Sequence, residues 1–220
     1  MYKKTPLALL FALATTAQAD VQLTTSIGTT GLGLHGAMPL SHNLNARLGG
    51  NFLNYSRSGN TSDIDYEFDL KLKSIDALLD YYPNTSGFRM TGGIVLNGNR
   101  MDATGRSSAA GTYTFRGRTY SVADVGTVEG EVDFRRVAPY LGIGWGSSGA
   151  GVKGWSLAAD LGAIFQGSPR TSLTSTQCTA PSPVCAQFAE DLAAENRELS
   201  NEVKNFKFYP VVRFGATYRF

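Results

Sequence analysis

Residues 64–73 read IDYEFDLKLK, five large apolar residues in strict alternation with five charges. Successive side chains of a strand point to opposite faces. Ile64, Tyr66, Phe68, Leu70 and Leu72 therefore share one face, and Asp65, Glu67, Asp69, Lys71 and Lys73 share the other. Such alternation suits any half-buried antiparallel sheet. Which medium the apolar face meets is decided by the rest of the chain.

The N-terminus points to export. Lys3 and Lys4 form a basic start, Leu7 to Ala14 is a short apolar run, and Ala17-Gln18-Ala19 fits a small-residue cleavage site. Residues 1–19 are expected to be removed, leaving 20–220 as one mature domain that begins at Asp20. The apolar run is far shorter than the roughly 20 residues of a spanning helix. Loss of Lys3 and Lys4 from the 20 Lys+Arg leaves 18 against 18 Asp+Glu, so the mature chain is formally neutral. Without a basic run, nucleic acid is not an expected partner. Membrane insertion would have to use strands, because lipid admits only helices and closed barrels.

The C-terminus alternates to its last residue. Phe206, Phe208, Pro210, Val212, Phe214, Ala216, Tyr218 and Phe220 lie on one face, opposite Lys207, Arg213, Thr217 and Arg219. An alternating final strand with Tyr218 two places before a terminal Phe220 resembles the closing strand of bacterial outer-membrane β-barrels. The chain is similar to the small barrels of the OmpA-barrel and OmpW kind, with no periplasmic peptidoglycan-binding domain expected after Phe220. The resemblance implies a bacterial outer-membrane location. It also implies contact with outer-membrane lipid and lipopolysaccharide, and recognition of Tyr218 and Phe220 by the barrel-insertion machinery.

The expected fold is all-β, an antiparallel up-and-down transmembrane barrel of eight strands with one short amphipathic helix in a loop. Seven strands are clear, at 32–40, 44–57, 64–82, 87–100, 131–146, 154–168 and 206–220. The eighth is 20–28, joined to 32–40 through Gly28-Thr29-Thr30-Gly31; the alternative is one long bulged first strand with 112–122 as the eighth. The alternation slips by one at Ser74 and again near Arg135-Arg136, which suggests bulges or emergence from the membrane. Short turns at 41–43, 83–87 and 146–154 would lie on the periplasmic side. The longer connections 57–63, 101–130 and 169–205 would lie outside. Residues 112–120 read as a small hairpin turning at Arg116-Gly117. Cys178 and Cys185 are expected to form a disulfide after export. Beyond them Phe188, Leu192, Leu199 and Val203 mark the apolar stripe of a helix over 186–203.

In this reading the lumen holds Arg47, Asp65, Glu67, Asp69, Lys71, Lys73, Arg89, Glu131, Asp133, Asp160, Arg213 and Arg219. Both signs occur in similar number, and an eight-stranded barrel is barely wide enough for its own side chains. A self-neutralising network is therefore expected rather than a porin path. Catalysis is not expected. The only histidines are His35 and His42; His42 falls in an expected periplasmic turn, the wrong leaflet for surface lipid A, and His35 has no serine two residues away, the spacing used by lipid A deacylases. No cofactor or metal is implied. The two readings that remain are a structural or surface barrel whose long loops meet an unidentified ligand, and a narrow OmpW-like channel for small solutes.

Overall fold

The computed structural model describes residues 21–60, 65–106, 111–146 and 153–220, so the segment 1–19 read as a signal peptide lies outside the described residues. Thirteen strands and two helices follow in chain order. They are β1 (Gln22–Gly28), β2 (Gly31–Ser41), β3 (Leu44–Asn60), β4 (Asp65–Tyr81), β5 (Phe88–Asn97), β6 (Arg100–Arg106), β7 (Thr112–Phe115) and β8 (Arg118–Ser121). There follow α1 (Val122–Val125), β9 (Val128–Asp133), β10 (Val137–Trp145), β11 (Gly154–Phe165), β12 (Arg170–Ser175), α2 (Ser182–Val203) and β13 (Phe208–Arg219).

Eight of these strands close into an antiparallel barrel in the order β1-β2-β3-β4-β5-β10-β11-β13 and back to β1. The eighth strand is thus 22–28, and 112–121 forms a separate two-stranded hairpin. Both tight turns expected from the sequence are present. Gly31 closes the β1–β2 turn at φ 91°. Arg116 and Gly117 both have positive φ, which matches the right-handed twist of the flanking hairpin strands. The turns β2–β3, β4–β5 and β10–β11 share the end of the barrel that holds Gln22 and Arg219. We call this the terminal end and its opposite the loop end.

The barrel mouth is uneven. At the loop end β1, β2 and β13 stop near Gly28, Gly31 and Phe208. The upper halves of β3 and β4 run on, and β6, β9 and β12 pair beside them, giving a wall in the order β3-β4-β6-β9-β12. At roughly 3.3 Å per residue, the 17-residue β3 and β4 are far longer than the 9–11 residues needed for one membrane crossing.

This wall corrects the expected lumen. The register between β3 and β4 runs unbroken from Asn60–Asp65 to Leu44–Tyr81, so the alternation does not slip at Ser74. Leu72, Ser74, Asp76, Leu78 and Asp80 all point inward and are buried. The inner face of β4 therefore carries Phe68, Leu70 and Leu72, whereas Glu67, Asp69, Lys71 and Lys73 lie on the outside. The side chain of Asp65 lies outside the described residues. Glu131 and Asp133 are also outside, opposite Asp102 and Arg100, while Val132 and Met101 face inward. The physical cause is a change of solvent rather than of backbone. Beside Ile75, Leu79, Ile94 and Leu96 the outer surface is apolar and the interior polar. Above Lys73 the outer surface is charged and the interior apolar.

The apolar inner face of the wall is covered by the loop elements. Tyr113, Tyr120, Val125, Phe188 and Leu192 form a second core, against which Val128, Leu173 and Cys178 pack. The hairpin β7–β8, α1 and the first half of α2 thus form a lobe seated on β9 and β12. Helix α2 spans 182–203, longer than the expected 186–203, because Pro181, Ser182 and Pro183 provide its start rather than an irregular lead-in.

Candidate functional site

Inside the barrel, Arg47 and Arg89 share two acids. Arg47 donates through Nη1 to Asp160 at 2.9 Å and through Nη2 to Asp80 at 3.0 Å. Arg89 donates through Nη2 to Asp160 at 2.7 Å, and the Thr91 hydroxyl donates to Asp80 at 2.6 Å. None of these four charged side chains is more than 7% exposed. Two positive and two negative charges close on themselves, which is what burial at such depth demands.

A second cluster centres on Asp76. Its carboxylate lies 3.0 Å from His35 Nε2 and 2.8 Å from Arg213 Nη2, and it accepts from Asn51 at 2.9 Å. Arg213 Nε donates to Thr30, and its guanidinium lies 6.0 Å over the Tyr140 ring. Leu78, Val95, Ala138, Tyr140, Ile164 and Val211 fill the remaining space as an apolar plug. Glycines make room for the largest side chains. A Cβ on Gly49 would lie 2.3 Å from His35 Cδ2, and one on Gly162 would lie 2.5 Å from the Tyr140 hydroxyl.

Of the residues expected in the lumen, Arg47, Arg89 and Asp160 therefore meet in one network. Arg213 joins Asp76, and Arg219 is buried at the terminal end. Glu67, Asp69, Lys71, Lys73, Glu131 and Asp133 instead belong to the outer wall, where Lys71 meets Asp102 at 2.7 Å and Arg100 meets Glu131 at 2.5 Å. Asp76 and Asp80 were missed. The apparent slip at Ser74 turned them outward, and unbroken counting of alternate residues along β4 would have found them.

The outer surface of the barrel carries an apolar belt. Tyr218 sits in it at the terminal end, edge to face with Trp155 at 5.2 Å and with Phe220 at 4.9 Å. Phe88 and Trp145 stack in the same way nearby. These rings form an aromatic girdle of the kind that marks a membrane interface.

The lobe holds two further features. Cys178 and Cys185 are joined by a disulfide. Asp191 on α2 is buried and accepts from the Tyr120 hydroxyl at 2.6 Å and from Arg118 Nη1 at 2.8 Å, which ties the helix to β8. These donors hold its carboxyl below the usual carboxylate range, the hydrogen bond from Tyr120 being the larger cause and Arg118 the next. Burial, reinforced by Asp191, pushes the Tyr120 phenol up. Below the lobe, a cavity of about 340 Å³ lies between Leu70, Leu72, Met101 and Val132 on the wall and Val203 and Phe206 opposite. Asn99, Arg100 and Gln166 supply its polar lining. Among the described residues no group of His, Cys, Asp and Glu has the arrangement of a metal site.

No protein-family model matches the chain, and no curated protein sequence matches it. Solved structures do share its fold. The crystal structure of Acinetobacter baumannii CarO2 superposes with a TM-score of 0.56 at 20% identity, covering 93% of this chain and 100% of that one. Acinetobacter baumannii CarO gives 0.56 at 21% identity, covering 91% and 98%. The chain is thus similar in fold to CarO over nearly the full length of both proteins.

Proposed function

We propose that this chain is a non-catalytic outer-membrane barrel with its terminal end in the periplasm, a sealed lumen, and a functional surface formed by the outer lobe. The observation that carries this reading is the closed ion network of Arg47, Asp80, Arg89 and Asp160, whose side chains are buried and paired in charge with one another. An ion path would need solvated charges with a bias of sign. The belt of Leu32, Leu34, Leu48, Ile94, Leu141 and Leu161 supplies the lipid-facing surface, and likeness in fold to CarO supports the same setting. Both histidines favour a non-catalytic role. His35 is sealed in the lumen against Asp76, and His42 is exposed in the β2–β3 turn at the terminal end.

The cavity of about 340 Å³ beneath the lobe favours the second reading, a narrow OmpW-like conduit for small apolar solutes, because it lies directly above the plug. Single-channel recording of the refolded mature protein in planar bilayers separates the two. We expect a silent membrane from protein whose heat-shifted gel mobility shows it folded. Discrete, reproducible openings would reject the sealed lumen and support the conduit.

A further inference from the structure

The outer surface is interrupted where the apolar belt ends. Strand β5 breaks from β6 at Gly98-Asn99, and β9 from β10 at 134–136, so the regular ladder is interrupted on that side of Lys73. Local hydrogen bonds hold this break in shape. The Gly98 amide donates to the Lys73 carbonyl at 2.8 Å, and the Asn97 amide donates to the Arg136 carbonyl at 2.7 Å. Two adjoining hollows result, of about 470 and 550 Å³, which share Lys73, Asn97, Gly98 and Arg136.

Their linings differ in a directed way. The hollow nearer the barrel includes Ile75, Leu96 and Val137, all pointing out from the apolar belt. The one nearer the wall includes Lys71, Lys73, Arg100 and Arg136, with Asp133 its one acid. Lys71 and Arg100 are engaged by Asp102 and Glu131. Lys73 and Arg136 have no carboxylate partner among the described residues and are exposed. The surface thus offers two uncommitted cations directly above an apolar strip, at the height where the belt gives way to charge. Guanidinium and ammonium groups so placed bind phosphate through charge-assisted hydrogen bonds, and basic pockets beside apolar spans are the pattern that binds phosphorylated lipid headgroups.

We propose that this rim hollow binds a phosphorylated lipid of the outer leaflet, with its phosphate between Lys73 and Arg136 and an acyl chain along Ile75, Leu96 and Val137. The proposal rests on the orientation given above, which places this rim at the outer leaflet. The test is native mass spectrometry of the refolded protein released from detergent, with purified bisphosphorylated lipid A as the probe. One retained lipid per barrel is expected. At about 1 kcal/mol per cation, Lys73→Gln with Arg136→Gln weakens retention about thirtyfold. Arg197→Gln with Lys204→Gln, exposed cations on and after α2, leaves it unchanged. Equal retention by both double variants overturns the proposal, as does equal retention of chemically dephosphorylated lipid A by the unaltered protein. Displacement of lipid A by millimolar inorganic phosphate would assign the hollow to soluble anions and overturn its lipid part. Heat-shifted mobility is recorded for every variant. Loss of retention with the shift intact concerns the hollow alone, whereas a wrong membrane assignment shows in cell fractionation.

Discussion

Asp160→Ala removes the carboxylate that Arg47 and Arg89 share. In the intact barrel it accepts from Arg47 Nη1 at 2.9 Å and from Arg89 Nη2 at 2.7 Å, out of reach of water. The variant leaves two guanidinium groups beside one remaining acid, Asp80, which lies 2.9 Å from Arg47 Nε but 3.7 Å from Arg89 Nε. Breaking a buried pair by removing one partner costs about 3–5 kcal/mol, and we expect the upper half of that range because two cations lose their counter-charge. Urea unfolding of the protein in lipid vesicles measures it. Trp145 and Trp155, on the lipid-facing surface at 51% and 76% exposure, report the transfer to water by their emission. With a urea dependence of about 2 kcal/mol per molar, a loss of 4 kcal/mol moves the midpoint by about 2 M. Arg89→Ala on its own should also destabilise. The double variant should cost less than the sum of the two by about 0.5–3 kcal/mol, since each change removes the other's unpaired charge. A shift below about 1 kcal/mol for Asp160→Ala, or additivity within about 0.5 kcal/mol, would refute the mutual neutralisation argued here.

Four further outcomes follow from other parts of the molecule. Spin labels placed along β4 should report lipid at positions 75 and 79, burial at 72 and water at 69 and 71; lipid contact at 68, 70 and 72 would restore the discarded slip. On the same strand, Ala77→Lys, midway along the outward-facing apolar positions between Lys73 and Tyr81, should cost about 2–4 kcal/mol, while Asp69→Lys stays within about 0.5 kcal/mol. Asp191 has a folded-state carboxyl below its unfolded value of about 3.9, so its contribution is complete above that pH and is lost only as pH falls further. The near-ultraviolet dichroism of the Tyr113–Tyr120 cluster should therefore hold from pH 8 to 5 and fade below about pH 4. Asp191→Asn should lose that acid step, and a transition between pH 5 and 7 would contradict the assignment. Reducing Cys178–Cys185, which spans seven residues, should withdraw about 2.5 kcal/mol from the lobe on the loop-closure argument. The barrel's heat-shifted mobility should be unaffected, and if it is lost the lobe and barrel are not separable.

The barrel itself was legible because alternation is a local property. The belt, the hairpin pairs and the β1–β2 turn follow from residues close in sequence, whereas the β1–β13, β5–β10 and β11–β13 pairs join distant segments. The lumen was only half legible, and the boundary at Lys73 and Ser74 shows why. A reversal of the apolar face can come from a shifted backbone or from a change in the surrounding medium, and one strand's pattern cannot distinguish them. Only the pairing partners decide. The even register of Asp76 and Asp80 with Leu72 is fixed by the unbroken ladder with β3. The latch of Arg118 and Tyr120 onto Asp191 joins positions about seventy residues apart and left no periodic trace in either segment. The disulfide, by contrast, needed only two nearby cysteines and an oxidising destination.

The reversal across the rim also fixes the molecule's depth. Within one strand, Ile75 faces out from the apolar belt while Lys73 and Lys71 face out above it, and the same step recurs between Leu96 and Arg100 on β5 and β6. Moving the barrel inward by one outward-facing position would draw a row of ammonium and guanidinium groups into the edge of the hydrocarbon, each at a cost of up to about 1 kcal/mol that rises toward the midplane. Moving it outward would strand Phe208, Ile75 and Leu96 in water. The protein is therefore graduated like a float, held at one draught by its own surface, and a thinner or thicker bilayer has to adjust to the barrel rather than the reverse.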